Sequence, residues 1–406
     1  MSVDIETAVE RLKMGLPPGN RQILQEITVG QEFLPAFWQE KYLKNYLSRG
    51  GSKIKFITGR TGSGRTHFLD LVLLKAQELG YIPVYLSAKD VWLYDFKEIY
   101  VAILRQVNLL ESLRAASSLV ISRLGYDPRT VPPELTFTDY LSSRNELDPL
   151  TKREIRQELT RLFLANPLID NNFAIACSLL TGGFLGHPIL EEASRNLLLN
   201  WLEGSREAKL ASVRRLGLSP SKITKYNARH MLRSLVEVCR LAGYKGLVVA
   251  LDELEVLVGG DKFGSMRYTR LKRDDAYECI RELIDEIDTL HNLMFIFSFE
   301  RKLMDEEMTG LKSYEALWMR IQNEVAGSRF NCFADIVDLD RLVDEVYTPE
   351  CMVELSNRLA RVADRIGQTV KPISLDAAEE LHARARFGKV ALPRRVVLST
   401  LHNDGA

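Results

Sequence analysis

The chain has 406 residues, of which 46% are hydrophobic and 27% are charged, as expected for a globular protein with room for more than one domain. Lys and Arg together number 54, as do Asp and Glu, so no global positive field indicates nucleic acid binding, and no apolar run is long enough to span a bilayer. The five scattered cysteines argue against a zinc site or disulfide framework and, with a start that lacks a signal-peptide pattern, favour the cytoplasm.

The first part of the chain is predicted to be helical. One helical pattern precedes the turn at Gly15–Asn20, and another covers Glu32–Leu47, where aromatic and leucine side chains recur at helical spacing. A Ser-Arg-Gly-Gly-Ser run then ends the second pattern. We therefore expect residues 1–50 to form an N-terminal helical segment.

A glycine-rich run follows the first predicted strand. Lys55–Thr58 predicts the strand, and the run Gly59–Thr66 reads Gly-Arg-Thr-Gly-Ser-Gly-Arg-Thr before an apolar helical pattern begins. A strand, a glycine-rich loop and a helix form the context of a phosphate-binding P-loop, whose pattern is G-x-x-x-x-G-K followed by Ser or Thr. The run fits this pattern at every position except one, because Arg65 stands where the lysine is expected.

Each part of this loop has a chemical role toward a nucleotide. Gly62 and Gly64 let backbone N–H groups cradle phosphate oxygens, beside the positive end of the following helix. Thr66 places a hydroxyl where Mg²⁺ would be held. Arg65 can supply charge to the β- and γ-phosphates through a planar fork. The predicted nucleotide contacts are Gly59, Arg60, Thr61, Gly62, Ser63, Gly64, Arg65, Thr66 and His67, and a glycine-rich turn without a ligand is the alternative.

Four more strands are predicted after the P-loop helix: Ile82–Leu86, Gly246–Leu251, Leu293–Ser298 and the shorter Phe330–Phe333. The second and third of these are continuous apolar runs, which are typical of buried parallel strands. Residues from about 95 to 240 keep a helical apolar periodicity, which predicts a long helical insertion and not a linker.

The alternation of strands with helices indicates an α/β fold of the P-loop NTPase kind, with a parallel sheet flanked by helices. We expect a P-loop core at residues 51–335 that contains the helical insertion. Helical patterns continue after Leu339, so residues 336–406 are predicted to form a C-terminal helical lid.

Acidic and polar side chains end two of the predicted apolar strands. Asp252 and Glu253 follow the run at 246–251, as in a Walker B strand. We expect Asp252 to hold Mg²⁺ and Glu253 to orient or deprotonate an attacking water. Ser298 ends the next strand, where a polar residue could position that water or contact a γ-phosphate. A solvated strand end is the alternative for each of these residues.

Two sets of arginines could act at the same site from outside the sheet. Arg320 and Arg329 precede the last predicted strand, where an arginine finger would project into a neighbouring subunit's site. Arg394 and Arg395 lie in the predicted lid, from which a sensor arginine would reach the γ-phosphate. The chain has 54 basic residues, so a solvated surface arginine is the alternative in every case.

In this order the elements resemble the AAA+ ATPases, and the lid is similar to that of the origin-recognition and initiator branch. Thr28–Glu32 would match a Val-Gly-Arg-Glu segment that packs near adenine in that branch, with Gln31 here in place of the arginine. The resemblance implies binding of ATP and Mg²⁺. Initiator ATPases usually carry a winged-helix DNA-binding domain beyond the lid, and this sequence shows none, so we expect contact with DNA to be indirect or non-specific.

A closer resemblance, over nearly the whole chain, is to the ATP-binding proteins of bacteriophage-exclusion (BREX) islands, a P-loop family. The matching segments are Trp201–Gly204, Leu241–Leu247, Leu251–Glu255, Leu311–Leu317 and Pro393–Arg394. This resemblance implies a setting in phage defence, with a helicase, methyltransferase or nuclease as partner. Arg65 departs from the P-loop pattern, which bears on the rate of hydrolysis more than on nucleotide binding.

Three functions remain open from the sequence. The first is an AAA+ switch or motor that hydrolyses ATP, self-associates through Arg320 and remodels or loads a partner on DNA; the intact Asp252–Glu253 pair favours it, because a scaffold has no chemical need for a general base. The second is a nucleotide-gated scaffold with little or no hydrolysis, which Arg65 favours. The third is a signal-transduction or apoptosis-type switch, although no repeat array follows the core.

Overall fold

A five-stranded sheet forms the centre of the molecule. The computed structural model describes residues 3–259, 267–322, 331–385 and 391–402. The strands are β1 (Lys53–Gly59), β2 (Ile82–Ser87), β3 (Leu247–Asp252), β4 (Leu293–Glu300) and β5 (Ile336–Asp338). They lie in the order β2-β3-β4-β1-β5, and every neighbouring pair is parallel.

Helices surround this sheet. In the described part of the chain they are α1 (Ile5–Lys13), α2 (Arg21–Glu26), α3 (Phe33–Trp38), α4 (Arg65–Glu78), α5 (Phe96–Gln106), α6 (Leu109–Arg123), α7 (Phe137–Ser143), α8 (Pro149–Leu159), α9 (Asn171–Leu185), α10 (Glu192–Leu202), α11 (Leu210–Arg214), α12 (Ala228–Leu241), α13 (Val256–Gly259), α14 (Arg270–Glu286), α15 (Arg301–Asp305), α16 (Glu315–Ile321), α17 (Leu339–Val346), α18 (Pro349–Asp364), α19 (Leu375–Ala385) and α20 (Leu392–Leu401). The π-helical segments Gln39–Tyr46 and Thr160–Leu164 continue α3 and α8, and 3₁₀ turns lie at Leu47–Arg49, Pro128–Thr130, Ile287–Thr289 and Leu311–Ser313. None of the helices within the described ranges combines the length and apolar character needed to cross a bilayer.

Both faces of the sheet are buried, because alternate residues of each strand point to opposite sides. Phe295 and Phe297 of β4 stack with ring centroids 5.9 Å apart and belong to the core shared with the helices between β2 and β3. Met294 and Ile296 pack on the other face, in the core that includes Phe68 of α4. Burial on two faces explains why this strand is a continuous apolar run. A parallel sheet flanked by helices confirms the predicted α/β class and is consistent with a P-loop NTPase.

The predicted helical insertion is confirmed, since α5 to α12 all lie between β2 and β3. The hydroxyl of Tyr100 donates to the carbonyl of Leu202 at 2.9 Å, which joins α5 to the end of α10 within the insertion. Arg229 of α12 donates to Glu286 at 2.6 Å and to Glu282 at 2.9 Å. The insertion is therefore fixed to α14, next to the sheet. The division of the chain at residues 50 and 335 stays a prediction.

The N-terminal helices pack on the C-terminal helices α18 to α20, which the sequence assigned to the predicted lid. Ala8 of α1 and Leu359 of α18 are both fully buried in one shared apolar core. Arg358 of α18 also donates to the carbonyl oxygens of Glu26 and Thr28, at 3.0 and 2.9 Å. The two ends of the chain thus form one layer, although the sequence suggested separate parts.

The fifth strand lies later in the chain than predicted. Residues 331–335 form turns in which the Asn331 side chain accepts from the N–H of Phe333 at 3.0 Å, and Phe330 lies outside the described residues. Aromatic residues favour strands only where a pleated surface half buries them. Phe333 is 60% exposed, whereas Ile336 and Val337 are buried and pair with β1. The prediction of a strand at Phe330–Phe333 is therefore wrong for the residues that are described.

Lys55 is buried within β1 and fixes the chain that leads into β5. Its ammonium donates to the carbonyl oxygens of Phe333 at 2.7 Å and Ala334 at 2.8 Å. It also pairs with Asp335 at 3.1 Å, while its side chain is 0% exposed. Because a buried ammonium is stable only when its hydrogens are paired, these three acceptors hold the turn against the sheet.

We expect Lys55→Met to lower the free energy of unfolding by about 3 kcal/mol, because it removes the buried donor of two carbonyl oxygens and the buried one of the two ammonium groups paired with Asp335. Lys53→Met is the matched control: Lys53 also pairs with Asp335, at 2.6 Å, but its side chain is 31% exposed. The control should cost less than about 1 kcal/mol. Chemical unfolding followed by circular dichroism measures both, and equal losses would contradict the role given to Lys55.

Candidate functional site

The P-loop joins β1 to α4 and leaves the start of the helix open. Gly62 and Gly64 adopt φ angles of 85° and 90°, which glycine tolerates without a steric penalty. Gly64 is the N-cap of α4, and among the described residues no side chain caps it. A Cβ on Gly59 would collide with the hydroxyl of Ser63, so the loop is tightly closed. Uncapped N–H groups at the positive end of a helix form a site for an anion.

A hydrogen bond from Thr66 joins the P-loop to the end of β3. The Thr66 hydroxyl donates to Oδ2 of Asp252 at 2.7 Å, and the Tyr85 hydroxyl donates to the same oxygen at 3.2 Å. The backbone N–H of Glu253 donates to Oδ1 at 2.8 Å. Asp252 is only 1% exposed, so these donors stabilise a buried carboxylate. The two residues predicted to hold a metal ion are in direct contact.

Glu253, the predicted base, is held toward β2. Its φ angle is 66°, in the left-handed region. Its carboxylate accepts from the hydroxyl of Ser87 at 2.6 Å and forms an ion pair with Lys89. Neither partner was predicted, because the sequence shows only that polar residues follow the end of a predicted strand. Ser87 and Lys89 thus occupy both carboxylate oxygens of the predicted base.

Arg65 is directed at Glu255, two residues beyond the predicted base. Nη1 and Nη2 of Arg65 lie 3.4 Å from Oε2 and Oε1 of Glu255. The backbone N–H of Glu300 donates to Oε2 of the same carboxylate at 2.9 Å. Glu300 in turn accepts from the hydroxyl of Thr61 at 2.7 Å. Glu255 thus links the P-loop, β3 and β4, a role that spacing alone did not indicate.

Three buried hydroxyls near the P-loop edge of the sheet have no hydrogen-bond partner among the described residues: those of Thr58, Ser63 and Ser298. Ser298, predicted to position a water, is on β4, which lies between β1 and β3. Its carbonyl accepts from the N–H of Leu254 at 3.1 Å, next to the predicted base. Because buried polar atoms are nearly always paired, unpaired hydroxyls at this edge fit a polar ligand.

Helix α20 of the predicted lid contacts the P-loop through Arg394. The N–H of Arg394 donates to the carbonyl of Gly62 at 3.3 Å, and the N–H of Ala391 donates to that of Thr61 at 3.2 Å. A Cβ built on Gly62 would lie 2.5 Å from Cβ of Arg394, and one on Gly15 would collide with the Arg394 guanidinium. Nε of Arg394 is buried without a hydrogen-bond partner among the described residues. The predicted sensor arginine is therefore at the site.

A cavity of about 240 Å³ opens beside the P-loop, between the N-terminal segment and the lid. Six of the nine predicted P-loop contacts line it, namely Thr61, Gly62, Gly64, Arg65, Thr66 and His67. The opposite walls are mainly apolar and come from Leu12, Leu16, Pro17, Ile27, Val29, Tyr347, Leu355 and Val397. An apolar cavity that continues from an anion site suits a ligand with a planar base and phosphates.

The segment predicted to lie near adenine borders this cavity. Thr28, Val29 and Gln31 are among its lining residues, and the amide oxygen of Gln31 lies 3.6 Å from a Cβ built on Gly64. The hydroxyl of Thr28 is 2.9 Å from Nε2 of His67. Burial lowers the pKa of His67 to about 4, so the ring is neutral at pH 7. The cavity wall that precedes Thr28, including Leu12 and Ile27, was not predicted, because an apolar residue in a helical pattern indicates only packing.

Two of the arginines predicted for the site pair with carboxylates outside the P-loop. The N–H of Arg60 donates to both carboxylate oxygens of Asp340 at 3.0 Å, and its guanidinium pairs with the same residue at 3.3 Å. Arg320 forms two hydrogen bonds with Asp285 of α14, at 2.5 and 2.8 Å. Within this chain Arg320 therefore belongs to a surface ion pair, and its role in a neighbouring subunit stays a prediction. Arg329 lies outside the described residues.

Thr66 and Asp252 provide the oxygen atoms that could bind a Mg²⁺ ion at this site. In the described ranges no three His, Cys, Asp or Glu side chains form a metal cluster. Mg²⁺ retains water and commonly binds through one or two protein ligands plus phosphate oxygens. A hydroxyl and a carboxylate 2.7 Å apart beside an anion site fit that requirement.

A family model described as "BREX system ATP-binding protein BrxC/D" matches residues 3–399. The match covers nearly the whole chain, so the chain belongs to this family of ATP-binding proteins of BREX phage-defence systems. No curated protein matches the chain.

We expect Gly62→Ala to weaken ATP binding by at least tenfold, since the new methyl would displace Arg394 and the backbone that cradles the anion. Gly125→Ala is the control for backbone strain alone: Gly125 has a φ of 88°, and nothing lies within 4 Å of its built Cβ. The control should lose about 1–2 kcal/mol of stability, and Gly62→Ala should lose more, because its methyl also displaces Arg394. Titration with a fluorescent ATP analogue measures the affinities, and a Gly62→Ala variant that binds as the control does would contradict this assignment.

Proposed function

On the premise that the chain belongs to a family of ATP-binding proteins, we propose that it is an AAA+ protein that binds Mg²⁺-ATP at the P-loop and hydrolyses it slowly. Its activity serves as a switch or loader for a DNA-processing partner in phage defence. The observation that supports this most is the hydrogen bond between Thr66 and Asp252, which brings the P-loop and the acidic end of β3 together. The strand order, with β4 between β1 and β3, also places Ser298 between them.

The nucleotide would lie across the P-loop with its base in the cavity. The uncapped start of α4 takes the phosphates, and Arg65 supplies a guanidinium at the side near Glu255. The apolar walls from the N-terminal segment and the lid enclose the base. Arg394 connects this lid to Gly62, so phosphate binding and lid position are coupled.

Hydrolysis would use Glu253 as the base toward a water held near Ser298. When bound, Mg²⁺ supplies Lewis-acid charge at the phosphates, with Thr66 and Asp252 as its protein ligands. In the present structure Ser87 and Lys89 hold the carboxylate of Glu253. Both carboxylate oxygens are therefore already engaged, which favours slow turnover until the contacts with the loop after β2 are released.

Self-association and partner contact belong to the same proposal. Arg320 and Asp285 lie on the surface of the core, and an arginine finger would leave Asp285 to reach a neighbour's phosphates. A helicase, methyltransferase or nuclease is the expected class of partner, DNA contact is indirect or non-specific, and the cytoplasm is the expected location.

A nucleotide-gated scaffold with little or no hydrolysis is the second candidate. Two observations favour it: the base is engaged by Ser87 and Lys89, and the P-loop cation is Arg65 paired with Glu255. In that case ATP would set the position of the lid through Arg394, and the insertion between β2 and β3 would hold partners.

The first test is steady-state release of phosphate from ATP, for the full chain and for Glu253→Gln. We expect the native chain to exceed the variant by about a hundredfold, which is the usual contribution of a general base. Glu154→Gln, on an exposed position of α8, controls for the loss of one carboxylate. Equal release by the native chain and Glu253→Gln, with ATP binding retained, would favour the scaffold.

The second test concerns Arg320. Arg320→Ala should reduce turnover to the level of Glu253→Gln while ATP binding is unchanged. A mixture of Arg320→Ala and Glu253→Gln chains should regain part of the activity, because mixed neighbours combine an intact arginine with an intact base. Native turnover by Arg320→Ala, or a mixture as inactive as its components, would exclude the finger.

A further inference from the structure

We propose that Glu255 determines how well the site distinguishes ATP from ADP, by competing with the γ-phosphate for the guanidinium of Arg65. This inference rests on the nucleotide site proposed above. It goes beyond that proposal because it gives a reason for the arginine in the P-loop and assigns a role to a carboxylate outside the P-loop and Walker B motifs.

The position of Glu255 is fixed independently of Arg65. The N–H of Glu300 donates to Oε2 of Glu255 at 2.9 Å, and Glu300 is itself held by the hydroxyl of Thr61 at 2.7 Å. Glu255 therefore stays at the junction of the P-loop, β3 and β4 when its contact with Arg65 is broken. A carboxylate that remains in place is a constant competitor for the cation.

The contact with Arg65 is close but weak. Both nitrogen–oxygen distances are 3.4 Å, longer than the 2.7–2.9 Å typical of charge-assisted hydrogen bonds. The two side chains are only 12% and 24% exposed, so water screens the pair little. The guanidinium is thus oriented and neutralised by Glu255, yet a better acceptor can attract it away.

The γ-phosphate is such an acceptor. It offers several charged oxygens to the planar fork of Arg65. ADP lacks this group, so its terminal phosphate would not reach the guanidinium beside Glu255. ATP would therefore take the guanidinium from Glu255, and ADP would leave the pair intact. The compact ammonium of a lysine could not pair with both oxygens of Glu255 through two separate nitrogens.

Glu255→Gln tests this in an equilibrium measurement. The amide oxygen can still accept from Glu300, so the junction is preserved while the charge is removed. We expect the Kd for ATP to fall by about tenfold and the Kd for ADP to change by less than about threefold. Glu255→Asp, which keeps the charge but withdraws it by one methylene, should tighten ATP by a smaller factor and serves if the first variant does not fold.

Two controls separate this mechanism from a general effect of charge. Glu154→Gln removes an exposed carboxylate of α8 outside the site, and it should leave the Kd values of ATP and ADP unchanged. In an Arg65→Ala background, Glu255→Gln should change the Kd for ATP by less than about threefold, because a competitor has no effect once its cation is gone.

The outcomes are distinct. Absence of ATP binding by the native chain would overturn the proposed site itself. ATP binding with equal effects of Glu255→Gln on both nucleotides, or with an undiminished effect in the Arg65→Ala background, would overturn only the role of Glu255. Titration with a fluorescent ATP analogue, followed by its displacement with unlabelled ATP or ADP in the presence of Mg²⁺, provides all of these constants.

Discussion

The hydrogen bond from Thr66 to Asp252 is the interaction on which the organisation of the site depends. Asp252 is almost completely buried, and a buried carboxylate is costly unless donors surround it. Thr66, Tyr85 and the N–H of Glu253 provide those donors from α4, β2 and β3. The same contact fixes the start of the P-loop helix against the end of β3, and so it determines where a phosphate and its cation would lie relative to Glu253.

Three cations of the chain, two of them beside this contact, are already paired with carboxylates. Lys89 holds Glu253, Glu255 holds Arg65, and Asp285 holds Arg320. A highly charged ligand would have to replace some of these pairs, so ligand binding and internal rearrangement are linked energetically. This arrangement supports the proposal that turnover depends on a partner.

Much of the fold followed from the sequence, because the signals were local. Continuous apolar runs predicted β3 and β4, and the glycine spacing predicted the loop before α4. The fifth strand was misplaced because Phe333 is exposed in a turn that buried Lys55 holds, a contact between residues far apart in the chain. The partners Ser87, Lys89 and Glu255 were missed for a similar reason. Their proximity arises from the order of strands in the sheet, which periodicity does not encode.

The central claim is that a nucleotide lies across the P-loop with its base between the N-terminal segment and the lid. A crystal structure of the full chain with Mg²⁺ and a non-hydrolysable ATP analogue tests it most directly. The account predicts phosphates at the start of α4, the cation at Thr66 and Asp252, the base against Val29 and Leu355, and Arg65 turned from Glu255 to the γ-phosphate. A nucleotide bound elsewhere, with the Gly62–Gly64 loop free of phosphate, would contradict it.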